Sequence, residues 1–280
     1  MAVSLHGKTV AITGATSGIG AVAALRLAEM GARIVFTARD GARAGALLAR
    51  LKAAGGGDHQ VVMADLSVLD EMKRVGAVFA ALPRLDVLIN NAGALFGRRR
   101  ESADGLEMTF ALNHMAYFVV TAGVLARLEA GARIVNVASG AHARARLDFD
   151  DLQAMRRYRG FAVYSATKLC NILFTRALTR RLPHGVSANA LHPGFVATRF
   201  GDGAGGWLGR AVGVAKRLTA ISPQDGAKTI MHLAASPDVE GISGGYFYRC
   251  RPCVPARQAC DDDDAERLWK ISAVLAGTST

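Results

Sequence analysis

A chain of 280 residues with 51% hydrophobic and 20% charged side chains can bury a sizeable core, which excludes a disordered tail. Four cysteines are too few for a disulfide scaffold, and residues 1–8 lack the basic start and apolar block of a secretory signal, so a reducing, cytoplasmic setting is expected. No uncharged apolar run is seen to approach the roughly 18 to 20 residues of a membrane span, and the net charge of +11 comes with only 6% aromatics and no basic run interleaved with them, so no nucleic-acid surface is expected.

Residues 8–13 form a β-branched run ending at Gly14, and 21–31 then carry apolar residues at helical spacing. Residues 33–38 read as a second strand, Asp40 as the cap of a helix to about Ala54, and 55–58 as a turn before a strand over 59–64. A helix over 68–82, a strand over 85–90, a helix over 104–128 and a strand over 132–138 come next, and the alternation persists to a strand over 186–191. Strands rich in Val, Ile and Leu without polar alternation are what a parallel sheet buried on both faces requires. The expected fold is therefore α/β: a doubly wound parallel sheet of Rossmann type in three α/β/α layers. One domain over 1–280 is expected, with a substrate extension near 200–220 and a C-terminal one near 246–280; Asp261 to Asp264 read as a helix start.

Two constellations carry chemistry. The loop from Thr13 to Gly20 lies between the first strand and the first helix, where glycines let backbone N–H groups approach a pyrophosphate at the positive end of a helix. Its spacing, Gly14, Gly18, Gly20, differs from Gly-x-Gly-x-x-Gly, so that fingerprint is not claimed, and a tight turn with no ligand is the alternative. At the end of the second strand, where an acidic residue would read a ribose 2′-hydroxyl, stand Ala38 and Arg39. Arg39, with Arg43 assisting, suits a 2′-phosphate and favours NADP(H) over NAD(H); an exposed loop arginine is the bland reading. Farther along, Tyr164 and Lys168 are four apart in a stretch whose apolar spacing (Leu169, Ile172, Leu173, Leu178) is helical, so they share a face. A nearby ammonium is expected to lower the phenol's pKa from about 10 and let it shuttle a proton to or from an alcohol oxygen. Taken alone, such a pair is more often a surface pair.

Together these residues resemble the short-chain dehydrogenase/reductase family over nearly the whole chain. The glycine loop, Asp65 and Leu66, the run Asn90 to Gly93, Asn113, Ser139, Tyr164 with Lys168, and Pro193, Gly194, Val196 and Thr198 occur in that family's order. Within it, residues 104–108, Asn113 with His114, 134–137, 147–152, 173–176 and 236–244 through Trp269 resemble the retinol dehydrogenase and WW-domain oxidoreductase-like branch. The resemblance implies Tyr164 as general acid or base and also as a cofactor contact, Lys168 on the nicotinamide ribose, Ser139 as hydrogen-bond donor to the substrate oxygen, and Asn113 as anchor of a relay water. It implies Gly14, Ser17, Gly18, Ile19 and Gly20 around the pyrophosphate, and Asp65 and Leu66 at the adenine. It also implies Asn91, Ala92 and Gly93 beside the ribose, and Pro193, Gly194, Val196 and Thr198 at the nicotinamide. The expected activity is NADP(H)-dependent interconversion of an alcohol and a carbonyl on a fairly apolar small molecule, with a non-catalytic NADP(H)-binding regulator as the alternative. The resemblance also implies a homo-oligomer. Many retinol-active relatives carry an amino-terminal apolar anchor, whereas this chain begins almost directly with its first strand, which weakens retinoid metabolism as its role.

Three features lie outside these motifs. Asp148, Asp150 and Asp151 have no His or Cys at ligand spacing and read as loop chemistry, with no metal expected. Residues 207–218 place Trp207, Leu208, Ala211, Val212 and Leu218 on one arc of a helical wheel, as a lid over an apolar substrate, a membrane-surface contact or an ordinary half-buried helix. Cys250 and Cys253 have redox-pair spacing but stand far from the first strand, and read as free thiols.

Overall fold

The computed structural model describes residues 3–55, 57–194 and 221–278. Its first half alternates strand and helix: β1 (Thr9–Ile12), α1 (Gly18–Glu29), β2 (Arg33–Ala38), α2 (Gly41–Ala54), β3 (Gln60–Met63), α3 (Leu69–Ala80) and β4 (Val87–Asn90). A continuous helix comes next, made of α4 (Met108–Phe110), a π-helical turn (Ala111–Met115) and α5 (Ala116–Val124). Then come β5 (Arg133–Val137), α6 (Gly160–Thr179), β6 (Ser187–Leu191), α7 (Pro223–Ala235), β7 (Tyr246–Tyr248), β8 (Arg251–Pro252) and α8 (Asp262–Ala276).

The strands form one sheet in the order β3-β2-β1-β4-β5-β6-β7-β8, parallel throughout except for β8. Because β2 and β3 lie on one side of β1 and β4 on the other, the chain reverses direction across the sheet between β1 and β4. The carboxyl ends of those strands therefore open a crevice, the place where open α/β sheets bind ligands. The layers are apolar on both faces. Leu27, Leu47, Leu51, Ile230 and Leu233 cover one face, and Met72, Phe79, Phe110, Phe174 and Leu268 the other. The doubly wound three-layer architecture expected from the strand composition is the one observed.

Several local expectations hold for local reasons. Asp40 caps α2, its carboxylate accepting from Arg43 N at 2.9 Å, and Asp261 caps α8 by accepting from Asp264 N at 2.9 Å. Asp104 does not open a helix. Its carboxylate accepts instead from Leu69 N at 2.8 Å, capping α3 across space, while Glu107 caps α4 through Phe110 N at 2.7 Å.

Met108–Arg127 is long and apolar enough to cross a membrane by composition, which corrects the expectation that no such run exists; polar Asn113 and His114 interrupt it. Within the fold it is a core helix, 72% buried in its most apolar window. It packs against α3 where Gly76 meets Gly123: a Cβ on Gly123 would stand 2.9 Å from the Gly76 Cα. The strands β7 and β8 and the helix α7 lie beyond the elements that periodicity marks. The β7–β8 hairpin turns at Arg249 and Cys250, both left-handed with φ 49° and 61°, the backbone that a two-residue hairpin turn requires.

Candidate active site

The glycine loop is built by contact with the end of β4. Thr13 Oγ1 accepts from Asn91 N at 3.0 Å and Ala92 N at 3.1 Å, and Asn91 Nδ2 donates back to the carbonyls of Thr13 and Gly14 at 3.0 and 2.9 Å. That exchange brings the two loops so close that Gly14, at φ 70°, has no room for a side chain: a Cβ would stand 2.7 Å from Ala92 Cα. Gly18 adopts φ 57°, Gly20 would drive a Cβ to 2.5 Å from the Gly14 carbonyl, and Ser17 caps α1 in extended conformation without a side-chain cap bond. The outcome is an open helix N-terminus with bare backbone at the switch point of the sheet, a cradle that fits a pyrophosphate. Arg39 projects at the end of β2 with its side chain 76% exposed, 3.8 Å from the Asp65 carboxylate. Asp65 also accepts from Ser67 N at 3.0 Å and Ser67 Oγ at 2.8 Å, which fixes the turn after β3.

The second half of the site converges from β4, the π turn, β5 and α6. Ser139 lies just past β5, and its Oγ accepts from Ala141 N at 3.2 Å. The Ser139 hydroxyl is hydrogen bonded to the phenol of Tyr164, which is buried at 7% exposure on α6. One helical turn on, Lys168 is buried, and Nζ donates to the Val137 carbonyl at 2.9 Å, 5.7 Å from the centroid of the Tyr164 ring. Tyr117 OH and Asn171 Nδ2 donate to the same carbonyl, each at 3.3 Å.

Asn113 sits in the π turn with both amide protons committed, to Ala94 O at 3.0 Å and Thr167 Oγ1 at 3.1 Å, while Oδ1 accepts from Ala94 N at 2.8 Å. It thus ties the loop after β4 to α6. Gly93 lies between these groups, and a Cβ there would stand 3.2 Å from Asn113 Oδ1 and 3.5 Å from Lys168 Nζ. The glycine keeps the space beside the ammonium open for a ligand.

The electrostatics differ from the sequence expectation. Burial pushes the Tyr164 phenol up to about 12, with the Ser139 hydrogen bond partly opposing, and burial pushes Lys168 down to about 7. The net direction is opposite to the lowering expected for the tyrosine: the ammonium donates to a backbone carbonyl, and desolvation dominates both groups.

Of the expected site residues, Gly14, Ser17, Gly18, Ile19 and Gly20 line the crevice loop, Asn91, Ala92 and Gly93 the facing loop, and Asn113, Ser139, Tyr164 and Lys168 the far side. Leu66 is buried in the core. Pro193 and Gly194 come after β6; Val196, Thr198 and the stretch 207–218 lie outside the described residues.

The aspartates at 148–151 make turns, with Asp148 accepting from Asp150 N at 3.0 Å and Asp151 from Met155 N at 2.7 Å. Three neighbours escape the sequence reading. Tyr117 belongs to the Val137 cluster. His142 lies three residues after Ser139, and His192 stacks on Tyr248 at 4.0 Å between ring centroids. The only sequence signal for the histidines is proximity to Ser139 and Pro193.

Comparison with known proteins agrees with this geometry. Residues 8–207 match the model of the short chain dehydrogenase family. A Mus musculus retinol dehydrogenase 14 is 40% identical, over 98% of this chain and 87% of its own length. A Homo sapiens retinol dehydrogenase 13 is 36% identical, over 98% and 86%. Among solved structures, an uncharacterized protein from Mycobacterium Paratuberculosis superposes with a TM-score of 0.81 at 30% identity, covering 99% of this chain and 96% of that one. A short-chain dehydrogenase from Sphingobium yanoikuyae in complex with NADPH gives 0.64 at 27% identity, over 80% and 82%. With its doubly wound sheet, its glycine crevice loop and a Ser–Tyr–Lys cluster at the mouth, and with relatives along almost its full length, the chain belongs to the short-chain dehydrogenase family of oxidoreductases.

Proposed function

We propose that the protein interconverts an alcohol and a carbonyl on a fairly apolar small molecule, using NADP(H) in preference to NAD(H), with Tyr164 as general acid and base. The observation that carries the reading is the convergence of Ser139, Tyr164 and Lys168 beside a loop whose glycines leave no room for side chains.

When bound, the dinucleotide supplies or accepts the hydride. The open N-terminus of α1, with Gly14, Ser17, Gly18, Ile19 and Gly20, would hold its pyrophosphate. Asp65 would face the adenine, with Leu66, whose side chain is buried in the core, offering its backbone, and Asn91, Ala92 and Gly93 would lie on its ribose side. Arg39 is poised for a 2′-phosphate: it projects into solvent and is only loosely paired with Asp65, so a phosphate can take up its donors. Pro193 and Gly194, with Val196 and Thr198, would face the nicotinamide. The NADPH complex of the Sphingobium yanoikuyae relative supports the cofactor class.

Tyr164 holds its proton at neutral pH because it is buried, so it can donate to the oxygen of a carbonyl being reduced; in the reverse direction the same oxygen takes the alcohol proton. Ser139 uses one Oγ lone pair on Ala141 N–H, leaving its own proton to donate to the substrate oxygen, where charge develops. Lys168 sits where its ammonium can bind a ribose hydroxyl once it leaves the Val137 carbonyl. A water donating to the remaining Oδ1 lone pair of Asn113 is the proposed relay between Lys168 and solvent.

Turnover is tested by NADPH and NADH consumption across apolar aldehydes and ketones, retinal included, with Tyr164→Phe as control and cofactor binding recorded in the same samples. NADPH-dependent turnover that vanishes in the variant is expected. Tight cofactor binding with no turnover on any substrate would favour a non-catalytic regulator, and absence of cofactor binding would overturn the reading. Cytoplasmic residence is part of the same proposal, supported by four cysteines that are all free thiols, and fractionation of cells expressing the tagged chain checks it.

A further inference from the structure

Ser139 stands two residues past the end of β5 and directly before a five-residue 3-10 turn, Gly140–Arg144, a weak element for aiming a catalytic hydroxyl. The first backbone bond of that turn, His142 N to Ser139 O, is 3.2 Å. The His142 side chain adds what the turn lacks. Its ring folds back so that Nδ1 lies 2.7 Å from the same Ser139 carbonyl, while Nε2 lies 3.1 Å from the backbone nitrogen of Ala256, far along the chain. A carbonyl only accepts and a backbone N–H only donates, so Nδ1 carries the proton and Nε2 the lone pair. The ring is buried at 4% exposure, and burial favours the neutral form that this pairing demands.

The C-terminal segment grips the turn a second time. Gln258 Nε2 lies 3.0 Å from the Ala143 carbonyl, 2.9 Å from that of Ala145 and 3.4 Å from that of His142. Tyr246 of β7 packs edge-on to the His142 ring at 5.1 Å and, from its other side, stacks near His192 at 5.7 Å. Nδ1 of His192 in turn accepts from Gly194 N at 3.3 Å. The loops after β5 and β6 therefore lean on one wall, built from residues 246–258.

We propose that His142 is a positioning residue for Ser139, clamping its carbonyl to the Ala256–Gln258 segment so that the C-terminal extension becomes part of the reaction machinery. The proposal rests on Ser139 acting as donor to the substrate oxygen. With the Ser139 carbonyl fixed by His142 and one Oγ lone pair fixed by Ala141 N–H, the serine proton can turn toward Tyr164 and the substrate oxygen. Without the imidazole, the Ser139 carbonyl is left with the 3.2 Å bond from His142 N. Both ring nitrogens of His142 are engaged with backbone groups, and the Tyr246 hydroxyl lies 3.3 Å from Nδ1.

Three variants of the full chain separate positioning from packing. His142→Asn keeps an amide donor at the place of Nδ1, His142→Gln keeps reach toward Ala256 but removes that donor, and His142→Phe fills the ring volume with neither. The readouts are kcat and KM for carbonyl reduction, NADPH affinity, thermal midpoint, and hydrogen exchange of the peptide spanning 139–145. Expected are a loss of about 10- to 100-fold in kcat for Gln and Phe, the scale of a displaced catalytic group, with KM and NADPH affinity unchanged. Faster exchange in 139–145 should accompany the loss, and the Asn variant should recover most of both.

Wild-type kcat in the Gln and Phe variants would overturn the clamp, as would parallel loss of kcat, cofactor affinity and thermal midpoint in all three. Should the wild-type protein turn over no substrate, it is the proposed activity that fails. Exchange in 139–145 then decides the clamp by itself: protection in wild type and Asn but not in Gln supports it, and equal protection in all three rejects it.

Discussion

Lys168 Nζ ends 2.9 Å from the Val137 carbonyl and 5.7 Å from the centre of the Tyr164 ring. Burial raises the proton affinity of the phenol, and the Ser139 hydrogen bond partly opposes that rise.

That arrangement fixes the pH dependence. A phenol pushed up to about 12 is fully protonated through neutral pH and loses its proton only as pH approaches that value. The Tyr164 contribution to carbonyl reduction, which needs the phenol, should be flat through neutrality and fall only in strong alkali, while Lys168, held by burial at about 7, should add a limb near neutrality. Alcohol oxidation, which needs the phenolate, should climb with pH. Paired pH profiles of kcat/KM in the two directions check this: a reductive limb near pH 7 belongs to Lys168 and one in strong alkali to Tyr164, and a fall between them would count against the burial of the phenol.

Removing the phenolic oxygen by Tyr164→Phe should cost reduction about 10²- to 10⁴-fold, the usual worth of a positioned acid. Ser139→Ala should cost about 10²- to 10³-fold in kcat, as for loss of one donor at a developing oxyanion. Both variants should keep most of their NADPH affinity, measured by fluorescence titration, because neither changes the glycine crevice that would hold the pyrophosphate.

Cofactor choice should turn on one exposed guanidinium. Arg39→Ala removes a donor whose charge-assisted bond to a phosphate contributes roughly 1.5–3 kcal/mol, so NADPH affinity should fall by an order of magnitude or more while NADH affinity stays put. Dissociation constants for the two cofactors decide it; equal losses for both would remove Arg39 as the phosphate reader.

Gly14→Ala places a Cβ 2.7 Å from Ala92 Cα on backbone at φ 70°, so strain and overlap act together. Left-handed strain at a non-glycine residue costs on the order of 1–3 kcal/mol. We expect a lower midpoint in denaturant melts together with weaker cofactor binding, since the crevice loop must move to make room. Gly41→Ala, where a Cβ meets nothing within 4 Å, should leave both unchanged.

The attachment of α8 should be acid-sensitive. Glu266 meets Arg181 at 2.6 Å and Arg180 at 2.8 Å, and these bonds hold its carboxyl down at about 2, against 4.5 ordinarily. A carboxyl depressed in the folded state binds fewer protons there than when unfolded. Its stabilisation is therefore complete above about pH 5 and is lost as pH falls toward 2. Exposure of the pair keeps the effect modest. Melts of the wild type and Glu266→Gln should differ at pH 6 and converge near pH 2.

Much of this architecture is legible in the sequence because its causes are local. The β-branched run before Gly14, the cap at Asp40 and the acidic start of α8 each act within a few residues, and each appears where the pattern places it. Left-handed backbone at Gly14 and Gly18 is likewise readable, since only glycine adopts it without strain. The roster of the candidate site comes from the order of separated motifs, and the fold brings Ser139, Tyr164 and Lys168 together at the end of β5.

The features that the sequence does not disclose depend on partners brought from far along the chain. Asp104 caps a helix 35 residues before it, His142 answers to Ala256 across 114 residues, and the hairpin β7–β8 is too short and too irregular to announce itself by periodicity. The direction of the tyrosine's pKa departs from expectation for the same reason: spacing shows that Tyr164 and Lys168 share a helix face, but only packing shows how deeply both are buried and which oxygen the ammonium meets. Residue order determines local backbone preference and the chemistry available to the site. Desolvation, tautomer and the aim of each donor are properties of the surrounding atoms, and the tertiary structure alone supplies those.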